Sequence, residues 1–485
     1  MINKSVLLIQ PQWNEIHGMF AKLAKRKFSP PLIGISYLAA TLRERGYSVR
    51  LIDAEAQQLS HEEVFRIVRE ENPALIGMTV TTPVFPYAKA MADFLRARVD
   101  VPILGGGPHV TTTGMKGLDS CFDFGISGEG ENAILHLMDE LTGGRNYEKV
   151  PNLIYREAGE VRANPQGDKI QCLDTIPFPA VDLLDLSLYR IKVPRKGNQR
   201  FTAIVLTRGC PFACSYCAEP NLFGRKVRFR TAKNAADEME YVVSRFGIRH
   251  FVFNDSTLTL RKDLIHGLCD EIINRRLDIT WEGWTRADLM QRELLQHMAD
   301  SGFVRVSMGV ESGDMEVLKL IRKDIPLEVT RQAVEDAVSV GIKTECFAML
   351  GLPGETRESV EKTVRFFRSL KKASYNSFSI AIPYPGTELH TMAQKNAHGL
   401  ELLSEDFYHY RRYEGGAMRV NGMTPKELGH LQKVGLIKMH LTPRKIFSLL
   451  WIFGPITLTT VGFRLLFQAL FKRKGKPEAR AVAEA

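Results

Sequence analysis

Three cysteines within eight residues, Cys210-Pro-Phe-Ala-Cys214-Ser-Tyr-Cys217, constrain this chain more than any other stretch. They follow an apolar run, Phe201 to Leu206, and the turn-like Thr207-Arg208-Gly209, so a C-x3-C-x2-C cluster sits at the mouth of an expected strand. Thiolates are soft ligands suited to iron or zinc, and this spacing lets one loop wrap one metal centre. A structural zinc site usually draws two ligand pairs, whereas Cys121, Cys172, Cys269 and Cys346 stand singly. Cys269, in a helical pattern, and Cys346, in an apolar strand pattern, read as core thiols. Three thiolates on an iron-sulfur cube would leave one iron open to a substrate or cofactor, a catalytic arrangement. Spacing alone also leaves standing three buried structural cysteines, or a zinc loop borrowing a distant ligand. Seven cysteines, an odd number, form no disulfide framework and fit a reducing compartment.

The same stretch resembles the signature of the radical S-adenosylmethionine (SAM) enzymes, in which an aromatic residue precedes the last cysteine, here Tyr216. The resemblance implies that Cys210, Cys214 and Cys217 hold a [4Fe-4S] cluster and that SAM chelates its fourth iron. One-electron cleavage of SAM then yields a 5'-deoxyadenosyl radical that abstracts hydrogen from an unactivated position.

Ahead of the cluster, residues 1–145 alternate apolar strands (Val6–Ile9, Ser48–Asp53, Ala74–Thr79, Val101–Gly105, Phe124–Ile126) with amphipathic helices. The rhythm predicts a doubly wound parallel sheet, with its ligand beyond the carboxyl ends of the strands. The loops there are Thr79-Val-Thr81-Thr82, Gly105-Gly106-Gly107-Pro-His109 and Gly128-Glu129-Gly-Glu131. Glycines permit close backbone approach and hydroxyls bond polar ligands. Neither G-x-G-x-x-G nor a Walker A motif occurs. This region resembles the cobalamin-binding domain fused ahead of the radical SAM domain in a large subgroup, which implies that these three loops face cobalamin. The D-x-H-x-x-G motif that supplies a histidine to cobalt in some cobalamin proteins is absent, and His109 is not read as a lower ligand; as an isolated residue it reads as a loop or packing histidine.

Residues 146–200 read as a linker, with a small hairpin over Glu157-Ala-Gly159 and proline-restricted segments after it. Residues 201–390 repeat a strand-helix unit about six times, which predicts an incomplete (β/α)6 barrel with chemistry at the carboxyl strand ends. The resemblance places Asn254 and Asp255 at the methionyl part of SAM and Glu311 in Gly309-Val-Glu-Ser-Gly313 near its ribose; Arg286, after Trp284, is a candidate cation for the SAM carboxylate. Residues 391–485 read as a mainly helical extension. Its 446–471 stretch is mostly apolar, interrupted by Gly454-Pro455 and Arg464 and followed by Lys472-Arg-Lys-Gly-Lys476, and reads first as a peripheral or re-entrant membrane-associated segment, with a soluble packing element or a full span as the alternatives.

The formal charge of +10 admits nucleic acid, anionic ligands or an acidic membrane. No appended RNA-binding domain is evident, so nucleic acid is not the expected partner. The N-terminus reads as a first strand rather than a signal peptide, which points to the cytoplasm or the inner face of the cell membrane. The resemblance implies a cobalamin-dependent methyltransferase acting at an unactivated carbon of an apolar or lipid-like substrate. It also implies a low-potential electron donor such as a flavodoxin or ferredoxin. The alternative on the same two domains is a cyclase or oxidoreductase of the anaerobic porphyrin ester cyclase type.

Overall fold

The computed structural model describes residues 4–13, 31–413 and 415–453. The first sheet contains β1 (Ser5–Gln10), β2 (Ser48–Asp53), β3 (Leu75–Thr79), β4 (Ile103–Gly106), β5 (Phe124–Ile126), β6 (Leu153–Glu157) and β7 (Glu160–Ala163), in spatial order β2-β1-β3-β4-β5-β6-β7. The first five strands are parallel. They carry near-continuous apolar runs because both faces are covered. Ile35, Ala39 and Leu42 join Ala133, Ile134 and Leu137 on one face, and Val64, Val68, Ala88, Met91 and Leu95 cover the other. Strand order reverses between β1 and β3, which opens a crevice at the carboxyl ends of those two strands.

The hairpin read within the linker does form. Ala158 and Gly159 turn it with positive φ values of 50° and 86°, as a tight hairpin requires. It pairs antiparallel beside β5 and buries Leu153, Ile154 and Tyr155. The first sheet therefore runs to Ala163, past the expected boundary at residue 145, because half of this short hairpin is apolar.

A second hairpin, β8 (Arg190–Val193) with β9 (Gly197–Arg200), precedes the barrel. Its Lys192 carbonyl accepts from Arg305 Nη2 at 2.9 Å, and Arg305 is held by Glu282 and Glu345. These residues lie near the amino ends of the barrel strands, so the hairpin closes that end. The barrel itself is β10 (Thr202–Ile204), then, after a two-stranded ladder of β11 (Thr207–Arg208) and β12 (Arg228–Phe229), β13 (His250–Phe253), β14 (Thr280–Thr285), β15 (Phe303–Glu311), β16 (Lys343–Leu350) and β17 (Tyr375–Ile380). Its six strands run parallel in the order β10-β13-β14-β15-β16-β17. Cys269 and Cys346 are buried in its core.

The barrel stays open because β17 is covered by something other than a strand. Asn376 N donates to His440 Nε2 at 3.2 Å, Gln432 Nε2 donates to Phe378 O at 2.8 Å, and Ile380 N donates to Arg412 O at 3.0 Å. The C-terminal helix Pro425–His440 and the segment before it thus occupy an edge that would otherwise offer unpaired backbone groups. That helix begins with the expected cap, Thr424 with Glu427 in a capping box and Pro425 in its first turn. A short pair, β18 (Leu400–Leu402) with β19 (Met418–Val420), precedes it. The last described helix, Pro443–Phe453, anchors through buried Lys445, whose Nζ donates to Phe367 O at 2.9 Å. It reaches the β8–β9 hairpin, where Lys192 lies over the Trp451 ring. Among the described residues no helix is long and apolar enough to cross a membrane. Of the 446–471 stretch, residues 454–471 lie outside the described residues, as do Lys472 to Lys476.

Candidate active site

The cysteine loop leaves β11 at Gly209, where φ is +102° and an added Cβ would stand 2.9 Å from Gly224 O and 3.0 Å from Lys226 O. Only glycine fits that turn. Cys210 N then donates to Gly224 O at 3.2 Å, Ser215 N to Ile321 O at 3.1 Å and Leu389 N to Ser215 O at 2.8 Å, so the loop is fixed to three separate elements. All three thiols are free; Cys210 is buried, and Cys214 and Cys217 are half-buried. Burial pushes the Cys217 thiol up to about 12, and charge on Cys214 and Cys210 acts the same way, so the three sulfurs lie within electrostatic reach of one another. Burial also raises Cys214, against the pull of Lys323 and Arg286. Among the described residues no three His, Cys, Asp or Glu side chains converge as they would on a single ion. A cube asks for one thiolate on each of three irons, and three separately held thiols on one loop, with two cations beside them, fit that demand.

Asp255 proves to be a latch rather than a free contact for SAM. Its carboxylate accepts from Leu206 N at 3.1 Å, Thr207 N at 2.5 Å and Thr207 Oγ1 at 2.7 Å. It therefore holds the backbone from which the cysteine loop departs. Burial pushes its pKa up to about 6, against these hydrogen bonds. Asn254, its neighbour, is exposed at the strand end. Glu311 sits at φ +71° where the β15–β16 register shifts. It accepts from Lys323 Nζ at 2.7 Å and from Tyr216 OH at 2.9 Å, so the expected ribose acceptor is already paired with the aromatic residue of the cysteine motif. Gly309 makes the room: a Cβ there would fall 2.2 Å from Glu311 Oε1. Arg286 stacks 3.7 Å from the Phe212 ring centroid and pairs with Asp288 at 2.9 Å. Its Nη1 is buried with no hydrogen-bond partner, which leaves one cationic donor available beside the cluster loop. Lys323 and Phe212 were not singled out in the sequence: Lys323 lies in the charged run Arg322-Lys-Asp324 and looks solvated.

At the first sheet, the three loops are stitched into one platform. Val80 N donates to Gly106 O at 2.7 Å, His109 N to Val80 O at 3.0 Å, and Gly128 N to Thr111 Oγ1 at 2.9 Å. A Cβ on Gly106 or Gly128 would meet nothing within 4 Å, and Gly107 and Gly128 hold φ of +99° and +90°. Thr79 is half-buried and Thr81 exposed. A bare, glycine-lined surface with hydroxyls at its edge fits a large flat ligand such as a corrin. Gly105 and Thr82 serve the interior instead, Gly105 against the Phe122 ring and Thr82 against His109 Nδ1 at 3.3 Å. His109 is fully buried, with the Phe85 ring at 4.2 Å and the Phe407 ring at 4.8 Å. Burial lowers its pKa to about 4, so it is a neutral packing histidine. Glu129 likewise is not a platform contact: it is bound to Arg228 in the interface between the domains.

Apart from the Glu129–Arg228 pair, platform and cluster region touch through the loop after β17. Asn221 Nδ2 donates to Gly386 O at 2.7 Å, and a Cβ on Gly386 would stand 3.3 Å from Thr112 O. The short helix Pro108–Thr113 after β4, the short helix Glu219–Leu222 after the cysteines and the loop after β17 are thus in contact. The segment around Phe407 packs on the platform side, Phe407 against Phe85 at 5.6 Å and Tyr408 against Tyr87 at 5.9 Å.

Two family models match this chain: the B12 binding domain over residues 21–138 and the radical SAM superfamily over residues 204–367. An uncharacterized methyltransferase of Pyrococcus horikoshii is 32% identical over 423 residues, 86% of this chain and 89% of that protein. The anaerobic magnesium-protoporphyrin IX monomethyl ester cyclase of Rubrivivax gelatinosus is 29% identical over 394 residues, covering 79% and 69% of the two chains. Among solved structures, the radical SAM methyltransferase TsrM from Kitasatospora setae, with cobalamin and a [4Fe-4S] cluster bound, superposes with a TM-score of 0.71 at 21% identity, over 91% of this chain and 89% of that one. The chain belongs to the cobalamin-binding radical SAM enzymes, whose cofactors are a [4Fe-4S] cluster, SAM and cobalamin.

Proposed function

We propose that the protein is a methyltransferase that alkylates an unactivated carbon of an apolar organic substrate. The observation that carries this reading is the contact of the helix after β4, the helix after the cysteines and the loop after β17 at Thr112, Asn221 and Gly386. It sets a cobalamin surface and a cluster loop against one shared space. Bound there, the cofactors supply hydrogen abstraction and methyl delivery. The chain's part is to hold and align: Cys210, Cys214 and Cys217 hold the cluster, Arg286 Nη1 offers a donor to the SAM carboxylate, and Asn254 offers a polar group to its methionyl end. Tyr216 and Glu311 stand at the SAM side of the cluster, and Thr79, Thr81, Gly106, Gly107 and Gly128 face the corrin. Phe85 and Phe407, packed on His109, supply apolar surface beside the platform.

Reduction of the cluster calls for an external electron donor, of the flavodoxin or ferredoxin kind. Peripheral membrane contact is supported by the Pro443–Phe453 helix, where Ile446, Phe447 and Trp451 are exposed, and by Leu441 just before it; Lys192 lies over the Trp451 ring.

Likeness to the Rubrivivax cyclase favours a second reading, radical cyclisation or oxidation on the same scaffold. The test is anaerobic turnover of the reconstituted protein with methyl-labelled SAM, a low-potential reductant, and separate apolar and aqueous extracts. A product carrying one labelled methyl supports the transferase reading. An unlabelled product changed in hydrogen or oxygen content, formed with 5'-deoxyadenosine, overturns it in favour of the cyclase type.

A further inference from the structure

Four charged side chains are buried together where the two domains meet. Glu129 and Glu131 belong to the loop after β5 and the helix Glu131–Thr142 that follows it. Arg208 ends β11 two residues before Cys210, and Arg228 stands opposite it in β12. Arg208 Nη2 donates to Glu131 Oε1 at 2.5 Å, and Arg228 Nη1 donates to Glu129 Oε2 at 2.9 Å. Arg208 Nη1 lies 3.8 Å from Glu129 Oε1, which links the two pairs into one quartet. No member is more than 8% exposed. The Arg208 guanidinium also lies over the Tyr37 ring from the first domain, 5.6 Å from its centroid, and over the Phe223 ring from the second, at 5.7 Å.

The division of charge is clean: both acids come from the cobalamin side and both bases from the strand pair that roots the cysteine loop. Buried ion pairs are poor sources of net stability, and their attested use is to fix one geometry among several. Domain interfaces within a chain are mobile unless something pins them, and the covalent route here is the long stretch from Ala163 to Thr202. A shift of the acids against the bases would move Gly209, whose turn has no slack, and with it the cluster.

We propose that Glu129, Glu131, Arg208 and Arg228 are positioning residues that set the distance between the cobalamin platform and the cluster loop. Their charged groups are turned on one another rather than on the platform surface or the cysteines. The proposal rests on both cofactors being bound, not on the methyltransferase reading, and its test needs no substrate.

Full-length protein is loaded anaerobically with cob(II)alamin and the reduced cluster, and the magnetic coupling between the two spins is measured by pulsed paramagnetic resonance. The wild type is expected to show one resolved coupling. Glu131→Gln leaves the buried quartet with one excess positive charge, so the melting temperature falls and the resolved coupling is lost. The double variant Glu131→Gln/Arg208→Gln removes the stranded charge, so it regains melting temperature but not the resolved coupling. Wild-type coupling in the double variant, at matched iron and cobalt content, overturns the proposal and leaves the quartet a stability element. If the double variant does not load both cofactors, Arg208→Lys decides, because it keeps the charge and loses the fork and the stacking. Dispersed coupling in Arg208→Lys supports the proposal, and wild-type coupling overturns it.

Discussion

Asp255 spends its carboxylate on the backbone of Leu206 and Thr207, and most of those bonds fall on one oxygen, Oδ1. Its role is therefore one of geometry. Asp255→Asn, with its carbonyl in the Oδ1 position, should keep iron content and the visible absorbance of the cluster near wild type. Asp255→Ala strands buried donors, at a cost of about 3 kcal/mol or more, and should lose most of the cluster. Equal loss of iron in both variants would argue for a charge requirement instead. A second carboxyl group, Glu355, accepts from Gly351 N and Leu352 N through Oε2 while Oε1 is buried without a partner. Burial pushes its pKa up to about 8. Folding favours its protonated form, so its contribution is full below the unfolded value near 4.5 and is lost as pH rises through 8. The melting temperature of the wild type relative to Glu355→Gln should fall between pH 5 and 8.5, and a constant difference would refute the assignment. At this scale the three cysteines were legible because ligand spacing is written in the chain itself. The partners of Asp255, Glu129 and Glu311 were not, because a carboxylate at a strand end reads the same whether it meets a ligand, a backbone or a cation from another element.

Elements were read more surely than side chains. Each strand expected in the first sheet and the barrel formed within a few residues of its apolar run, since burial on both faces imposes a pattern that few alternatives share. The hairpin β6–β7 was seen, but its membership of the first sheet was not, because pairing beside β5 depends on contacts made across the chain. The covering of β17 was equally hidden: Gln432 and His440 look like ordinary polar positions of a helix, yet they bond strand backbone. Gln432→Ala should cost about 1–3 kcal/mol, with hydrogen exchange speeding up at residues 376–380. Unchanged protection there would show that the helix covers this edge by apolar packing alone.

For the whole molecule, the two domains and the helical extension were expected from the sequence, whereas the interface between the domains and the docking of the extension on β17 were not. The interface needed Arg208 and Arg228, which a sequence presents as two more cations in a chain with 65 of them. The exposed Phe447, at 72% accessible, and its neighbour Trp451 lead to a further expectation. Full-length protein should float with anionic vesicles, and Phe447→Asp should reduce the bound fraction several-fold. Equal flotation by the variant would remove this helix from the contact.

The helix lies by the β8–β9 hairpin at the amino ends of the barrel strands, whereas the cysteine loop, Arg286 and Glu311 sit at their carboxyl ends. Strands of six to nine residues separate the two ends by about 20–30 Å. A protein resting on that helix works with its back to the bilayer, like a vessel moored by the stern. Its cargo then comes aboard from the water side, so a substrate with an acyl tail would have to be lifted clear of the lipid before the reaction, and a carrier or a polar headgroup becomes part of what the enzyme must recognise.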